Sequence, residues 1–146
     1  MYWDWDPSLN VGIEVIDKQH KRIVDYINEI HDNLEDRDRN VLGGVIDSMI
    51  DYTLTHFAFE EALMERAGYP ILKHHKLVHQ SFAQRVQDHK KNFDEGKDVT
   101  RQLLGDLQIW LTSHIKRDDQ DYAVLVRGAL EEKSWIAKML QKFFGS

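Results

Sequence analysis

The sequence contains no cysteine. That removes disulfides, thiolate nucleophiles, zinc-thiolate sites, cysteine-held iron–sulfur clusters and haem-thiolate chemistry together, so any transition metal must be held by nitrogen and oxygen. Proline is nearly missing as well: only Pro7 and Pro70 can interrupt a helix. No run of about 18 apolar residues occurs, and the opening MYWDWDPSLN has neither a cationic nor an apolar signal region, which predicts no membrane span and a cytoplasmic protein. The net charge is −6, from 19 Lys+Arg against 25 Asp+Glu, with no basic block of the kind that tracks a phosphate backbone. Nucleic acid is therefore not an expected partner. What the chain does have is 42% hydrophobic residues over 146 positions, enough for one globular core, and eight histidines.

Apolar residues recur at steps of three and four through most of the length, so the expected class is all-α. The first helix is expected from Asp17, a good N-cap type, to about Glu35, where the charged stretch Glu35 to Asn40 reads as a solvated turn. The second runs from about Val41 to Ala67. Gly68-Tyr69-Pro70 ends it, and Ile71 to Phe93 forms the third. A fourth, about Val99 to Asp118, leads into Tyr122 to Leu130 and a final amphipathic stretch, Trp135 to Phe144. Short connections between long helices predict an up-down-up-down four-helix bundle within a single domain, with an N-terminal arm (1–16), the bundle (17–130) and an additional C-terminal amphipathic helix (131–146), the softest break falling at Glu131-Glu132-Lys133.

The inner seam of each helix collects polar residues that an apolar core does not need. The first seam is Ile16, His20, Ile23, Ile27, Ile30 and Leu34; the second passes Met49, Thr53, His56, Glu60 and Leu63; the third contains His75, His79, Phe82, Val86, His89 and Phe93; the fourth has Leu104, Leu107, Leu111 and His114, with Asp118 and Asp119 following. In an up-down bundle, the start of the first helix, the end of the second, the start of the third and the end of the fourth share one end, so these groups converge at one level. A lone buried His is usually a core residue satisfied by one hydrogen bond, and a lone HxxxH on a helix is often surface decoration. Five histidines and two carboxylates at one depth would cost several kcal/mol each unless something pairs them, and a bound metal cluster does. Imidazole and carboxylate without thiolate suit zinc, iron, copper, nickel or manganese, and facing carboxylates are the usual bridge of a two-metal site in a bundle. His31 and His74 lie off the seam and carry no expected ligand role, and His89 is about two and a half turns from His79, a core or channel residue.

These residues resemble the hemerythrin family, specifically its bacterial members. The resemblance covers Trp5 to about Tyr122 and rests on Val11-Gly12, Ile16-Asp17-Lys18-Gln19-His20-Lys21, His56-Phe57-Ala58-Phe59-Glu60-Glu61, Ala67-Gly68-Tyr69-Pro70, His75-Lys76-Leu77-Val78-His79 and Trp110-Leu111-Thr112-Ser113-His114-Ile115. It implies a non-haem di-iron centre with His20, His56, Glu60, His75, His79, His114 and Asp119 as ligands. Two irons would be bridged by Glu60, Asp119 and an oxo or hydroxo group, with one position open for dioxygen. Ordinary helix geometry favours Asp118, four residues from His114, over Asp119, which is rotated by about 140°. The family's spacing of five selects Asp119, so the helix must bend or end there, leaving Asp118 a solvated or capping residue. Phe57, Trp110, Leu111 and Ile115 are the implied wall of the dioxygen pocket.

The arm with Trp3 and Trp5 is expected to lie across the bundle. The tail's apolar face, Trp135, Ile136, Met139, Leu140, Phe143 and Phe144, is expected to pack on its own bundle, with self-association or a protein partner as the alternative. The resemblance implies reversible dioxygen binding for storage, transport or delivery rather than an enzyme. The competing readings are an oxygen or redox sensor signalling to a partner, and peroxide or nitric oxide detoxification or iron storage.

Overall fold

The computed structural model describes residues 1–35, 38–129 and 133–145. Asp36 and Arg37 of the expected charged turn, Leu130, the expected break at Glu131-Glu132, and the side chains of Lys133 and Trp135 lie outside the described residues. Among the described residues every regular element is helical: a short 3₁₀ turn at Pro7–Leu9, α1 (Glu14–Asp32), α2 (Arg39–Ala67), α3 (Leu72–Asp94), α4 (Thr100–His114), a π turn (Ile115–Asp119), α5 (Gln120–Ala129) and α6 (Lys133–Phe144). α1 packs on α2 and α4, and α3 packs on the same two, which closes the four-helix bundle. No helix among the described residues is long and apolar enough to cross a membrane.

The apolar seams become the core. Ile16, Ile23, Ile27 and Ile30 of α1 meet Ile46, Met49 and Leu63 of α2, Phe82 and Val86 of α3, and Leu103, Leu104 and Leu107 of α4, all buried. The α2–α3 corner forms as expected. Gly68 takes φ 71°, the left-handed conformation that glycine adopts without penalty, and the Tyr69 amide donates back to the Met64 carbonyl at 2.9 Å.

Asp17 does not cap the first helix. α1 begins at Glu14, and Asp17, one turn inside, accepts hydrogen bonds from the backbone amides of Val11 (2.8 Å) and Gly12 (3.3 Å). The carboxylate that reads as a cap therefore pins the arm to the helix. The arm is held further on by Asn28, whose side chain accepts from the Trp3 amide (2.8 Å) and donates to the Trp3 carbonyl (2.9 Å). α1 also stops at Asp32, short of Glu35.

The tail helix α6 lies on α2, where Phe143 and Phe144 pack against Phe59 with ring centroids 6.1 and 5.8 Å away. The fourth helix does not end at Asp118. It widens for the five residues of the π turn, closed by the Gln120 amide donating to the Ile115 carbonyl, and continues directly as α5. One extra residue per turn carries Asp119 around to the face that His114 occupies.

Candidate metal centre

The bundle brings all seven expected donors together at one level, and every one of them is buried. Glu60, His75, His79, His114 and Asp119 form one group and His20, His56 and Glu60 a second, each with ligand-capable atoms within 4.8 Å of one another. Glu60 belongs to both groups. Asp119 also reaches both sides: its Oδ1 lies 3.2 Å from His75 Nε2 and 3.1 Å from His114 Nε2, and its Oδ2 lies 3.2 Å from His20 Nε2. On the other carboxylate, Glu60 Oε1 lies 2.9 Å from His56 Nε2 and 3.7 Å from His79 Nε2.

These atoms are close without being hydrogen-bonded. Nε2 of His20, His56 and His75, Oε1 of Glu60 and both oxygens of Asp119 are sealed from solvent with no hydrogen-bond partner, because the contacts lack donor-to-acceptor alignment. Buried polar atoms in that condition cost about 1–3 kcal/mol each. They converge on common points rather than on each other. His79 Nε2 and His114 Nε2, by contrast, hydrogen-bond to each other at 3.0 Å, a spacing that two donors at right angles on one metal about 2.1 Å away would also have. The donor set therefore fits a metal pair of the kind that takes nitrogen and oxygen ligands.

The outer ring nitrogens support the same orientation. His56 Nδ1 donates to Gln19 Oε1 (2.6 Å), His79 Nδ1 to Glu61 Oε2 (3.0 Å) and His114 Nδ1 to Asp118 Oδ2 (2.8 Å). Each acceptor holds a proton on Nδ1 and turns Nε2 inward, the orientation that a metal-ligating imidazole requires. Asp118 is thus not merely solvated or capping: four residues on from His114, it is the group that orients that ring.

The charges follow from the crowding. Burial and the facing Asp119 carboxylate push Glu60 up, but His56 and His20 outweigh them and hold it at about 2. Burial also works against Asp119, and His114, with help from His20 and His75, keeps it well below the ordinary carboxylate value. His114 is pushed down by burial and raised more strongly by Asp119 and Glu60, to about 9. His79 is held down by burial despite Glu61. The protein alone thus offsets part of the buried negative charge by favouring the protonated form of His114, and a metal cation would offset the charge of both carboxylates.

Aromatic rings close around the cluster. Phe57 stacks on His79 with centroids 3.9 Å apart, and Trp110 stacks on His114 at 4.4 Å. Trp110 in turn lies flat against Phe82 at 3.8 Å and is half-buried, whereas Phe57, Leu111 and Ile115 are buried. His31 stacks on Tyr2, and His74, exposed on α3, lines a small cavity with Trp110, His114 and Asp118; neither belongs to the donor groups. His89 is a half-buried partner of Asp106 (2.8 Å) rather than a core or channel residue.

Three contributors escape the seam reading. Gln19 and Glu61 sit beside seam residues and face their histidines across helix interfaces, with no periodic signal. Asp118 stands on the seam one turn after His114, and what the seam does not show is its bond to the outer nitrogen of that ring. Tyr122 is fully buried, and its hydroxyl donates to Glu60 Oε2. It follows Asp119 by three residues, which places both on one face of α5 and its approach.

The sequence profile of the hemerythrin HHE cation binding domain matches residues 11–126. The chain belongs to the hemerythrin family. Bacteriohemerythrin of Pseudomonas aeruginosa (strain LESB58) is 44% identical to it, with 97% of each chain covered. Bacteriohemerythrin of Stenotrophomonas maltophilia is 43% identical over the same shares. A crystal structure of wild-type hemerythrin superimposes with a TM-score of 0.81 at 29% identity, covering 86% of this chain and 98% of that one. Hemerythrins are known for binding oxygen at a di-iron site, and the two joined donor groups of this member are a buried cluster suited to binding metal.

Proposed function

We propose that His20, His56, Glu60, His75, His79, His114 and Asp119 hold two iron ions bridged by Glu60, Asp119 and an oxo or hydroxo group, and that the protein binds dioxygen there reversibly, for storage, transport or delivery. The observation that carries this reading is the pair of buried donor groups joined by the same two carboxylates. The irons would supply the electrons that dioxygen takes on binding and returns on release. The chain's own residues do the rest. Gln19, Glu61 and Asp118 hold three histidines in one tautomer, and Tyr122 positions Glu60. Phe57, Trp110, Leu111 and Ile115 form the dioxygen pocket, an apolar wall that excludes water and offers no spare acid or base, which favours binding over turnover. The arm, the bundle and the tail act as one domain around this centre.

Metal analysis combined with optical spectra through repeated cycles tests this: reduction without air, exposure to dioxygen, then purging. About two irons per chain and a charge-transfer band that appears with dioxygen and vanishes on purging are expected. Irreversible oxidation in the first cycle would refute carriage, and a single zinc ion or no bound metal would refute the di-iron centre.

A further inference from the structure

Because α6 packs on α2, a groove of about 940 Å³ remains between its inner face and α1. That size lies within the range of small-molecule sites, about 300–1,000 Å³. The two sides are built differently. Ile136, Leu140 and Phe144 repeat every four residues along α6 and give an apolar wall, continued by Ile13 and Val15 at the start of α1. The opposite edge carries Glu14, Lys18 and Arg22 on successive turns of α1, with Tyr52 of α2 nearby. The Lys18 ammonium is met by Glu14 at 3.0 Å, an exposed pair. The Arg22 guanidinium lies over the Tyr26 ring at 4.1 Å, and no carboxylate among the described residues pairs with it.

A second observation comes from the floor. Gln19 lines the groove, is only 4% exposed, and has its amide Nε2 without any hydrogen-bond partner. Its carbonyl is committed to His56 and its amide nitrogen is sealed from solvent, so Gln19 closes the floor between the groove and the donor cluster. An apolar trough edged by a guanidinium that no carboxylate among the described residues meets suits an oxygen acceptor that bears negative charge and is attached to an apolar body.

We propose that this groove is a binding site for an amphipathic monocarboxylate of the fatty-acid class. Its aliphatic chain lies along Ile136, Leu140 and Phe144, and its carboxylate sits at Arg22, beside the Lys18–Glu14 pair. The site is separate from the seven-donor cluster and touches it only through Gln19. The proposal therefore stands whether or not the centre holds iron.

Calorimetric titration of the full-length protein with dodecanoate, below its micellar concentration, tests this in both the metal-loaded and the metal-free form. Saturable binding at one per chain is expected, with dodecanol bound at least tenfold more weakly because it lacks the charge. Arg22→Glu should weaken dodecanoate tenfold or more, and Leu140→Trp, which fills the trough, should abolish saturable binding. Gln19 is left intact because it also holds His56. Circular dichroism checks that both variants fold, and Arg22→Glu, on an exposed edge, keeps the test valid if Leu140→Trp does not. Absence of saturation, equal affinity for dodecanol and dodecanoate, or an unchanged affinity in Arg22→Glu would overturn the proposal. So would sedimentation showing that a second copy of the chain occupies the groove.

Discussion

Replacing Tyr122 by Phe removes one oxygen atom and leaves the ring. That ring is wedged edge-on against His75 (5.5 Å) and Tyr69 (6.2 Å), contacts a phenyl group keeps. What is lost is the hydroxyl that donates to Glu60 Oε2. Burial above all, and then the Glu60 carboxylate, hold the phenol far above its ordinary value, so Tyr122 is a permanent donor. A hydrogen bond to a charged group is worth about 1.5–3 kcal/mol, and Glu60 is fully buried, so no water replaces it. For a chain of this length, about 2 kcal/mol corresponds to a fall of roughly 4–8 °C in the midpoint of thermal unfolding. Independently, loss of a group that orients a metal ligand weakens metal binding by about 10–100-fold, or about 1.4–2.8 kcal/mol. The two routes agree in size. The assay pairs thermal unfolding of the metal-free protein with competition for the metal against a chelator at fixed pH. Tyr69→Phe is the control: its hydroxyl donates to Asp121, outside the donor cluster, so it should lower stability while leaving metal affinity intact. If Tyr122→Phe holds metal as tightly as the unaltered protein, Glu60 is not positioned by this hydroxyl and the reasoning fails.

Three further outcomes are expected. The metal-free protein should be most stable close to pH 6.5: Glu60, held at about 2 against an ordinary 4.5, contributes fully above 4.5 and loses its contribution as pH falls toward 2; His114, raised from 6.5 to about 9, contributes fully below 6.5 and loses it as pH rises through 9; His79, held below 6.5 by burial, contributes above that value and loses it in acid. Unfolding midpoints measured with a chelator present from pH 3 to 10 check this, and a flat profile would contradict it. Asp118→Asn should cost about tenfold or more in metal affinity by releasing the His114 tautomer, with little change in the fold because Asp118 is partly exposed; chelator competition and circular dichroism read the two effects separately. Gly12→Ala should destabilise by about 1–2 kcal/mol or more, since Gly12 has φ +83° and an added Cβ would lie 2.8 Å from the Arg127 guanidinium; an unchanged denaturation midpoint would show that the arm is not held there.

Much of this is legible in the sequence because helical periodicity acts on fold and site at once. The seams that fix the bundle are the rows on which His20, His56, Glu60, His75, His79 and His114 stand out as polar, so recognising the fold and finding the site are one operation. What periodicity does not encode is contact across an interface between residues off the seam. Gln19 and Glu61 read as surface positions until the neighbouring helix brings His56 and His79 to them. Asp17 shows the reverse: its residue type is favoured at helix starts, yet the two arm amides it accepts from lie five and six residues earlier and let the helix begin sooner.

Asp119 marks where local rules and the site's demands part. A straight α-helix puts Asp118 on the face of His114 and turns Asp119 away. The observed π turn lets both carboxylates serve the same histidine, since Asp118 bonds the outer nitrogen of His114 while Asp119 reaches the inner one at 3.1 Å and meets His20 with its other oxygen. Neither a regular helix nor a helix end achieves both, since the first misdirects Asp119 and the second would detach Tyr122, three residues further on, from Glu60. The widened turn keeps the chain helical through Asp119 into α5. A single irregularity thereby supplies a candidate bridging carboxylate, its histidine's orienting partner and the tyrosine that steadies the opposite carboxylate.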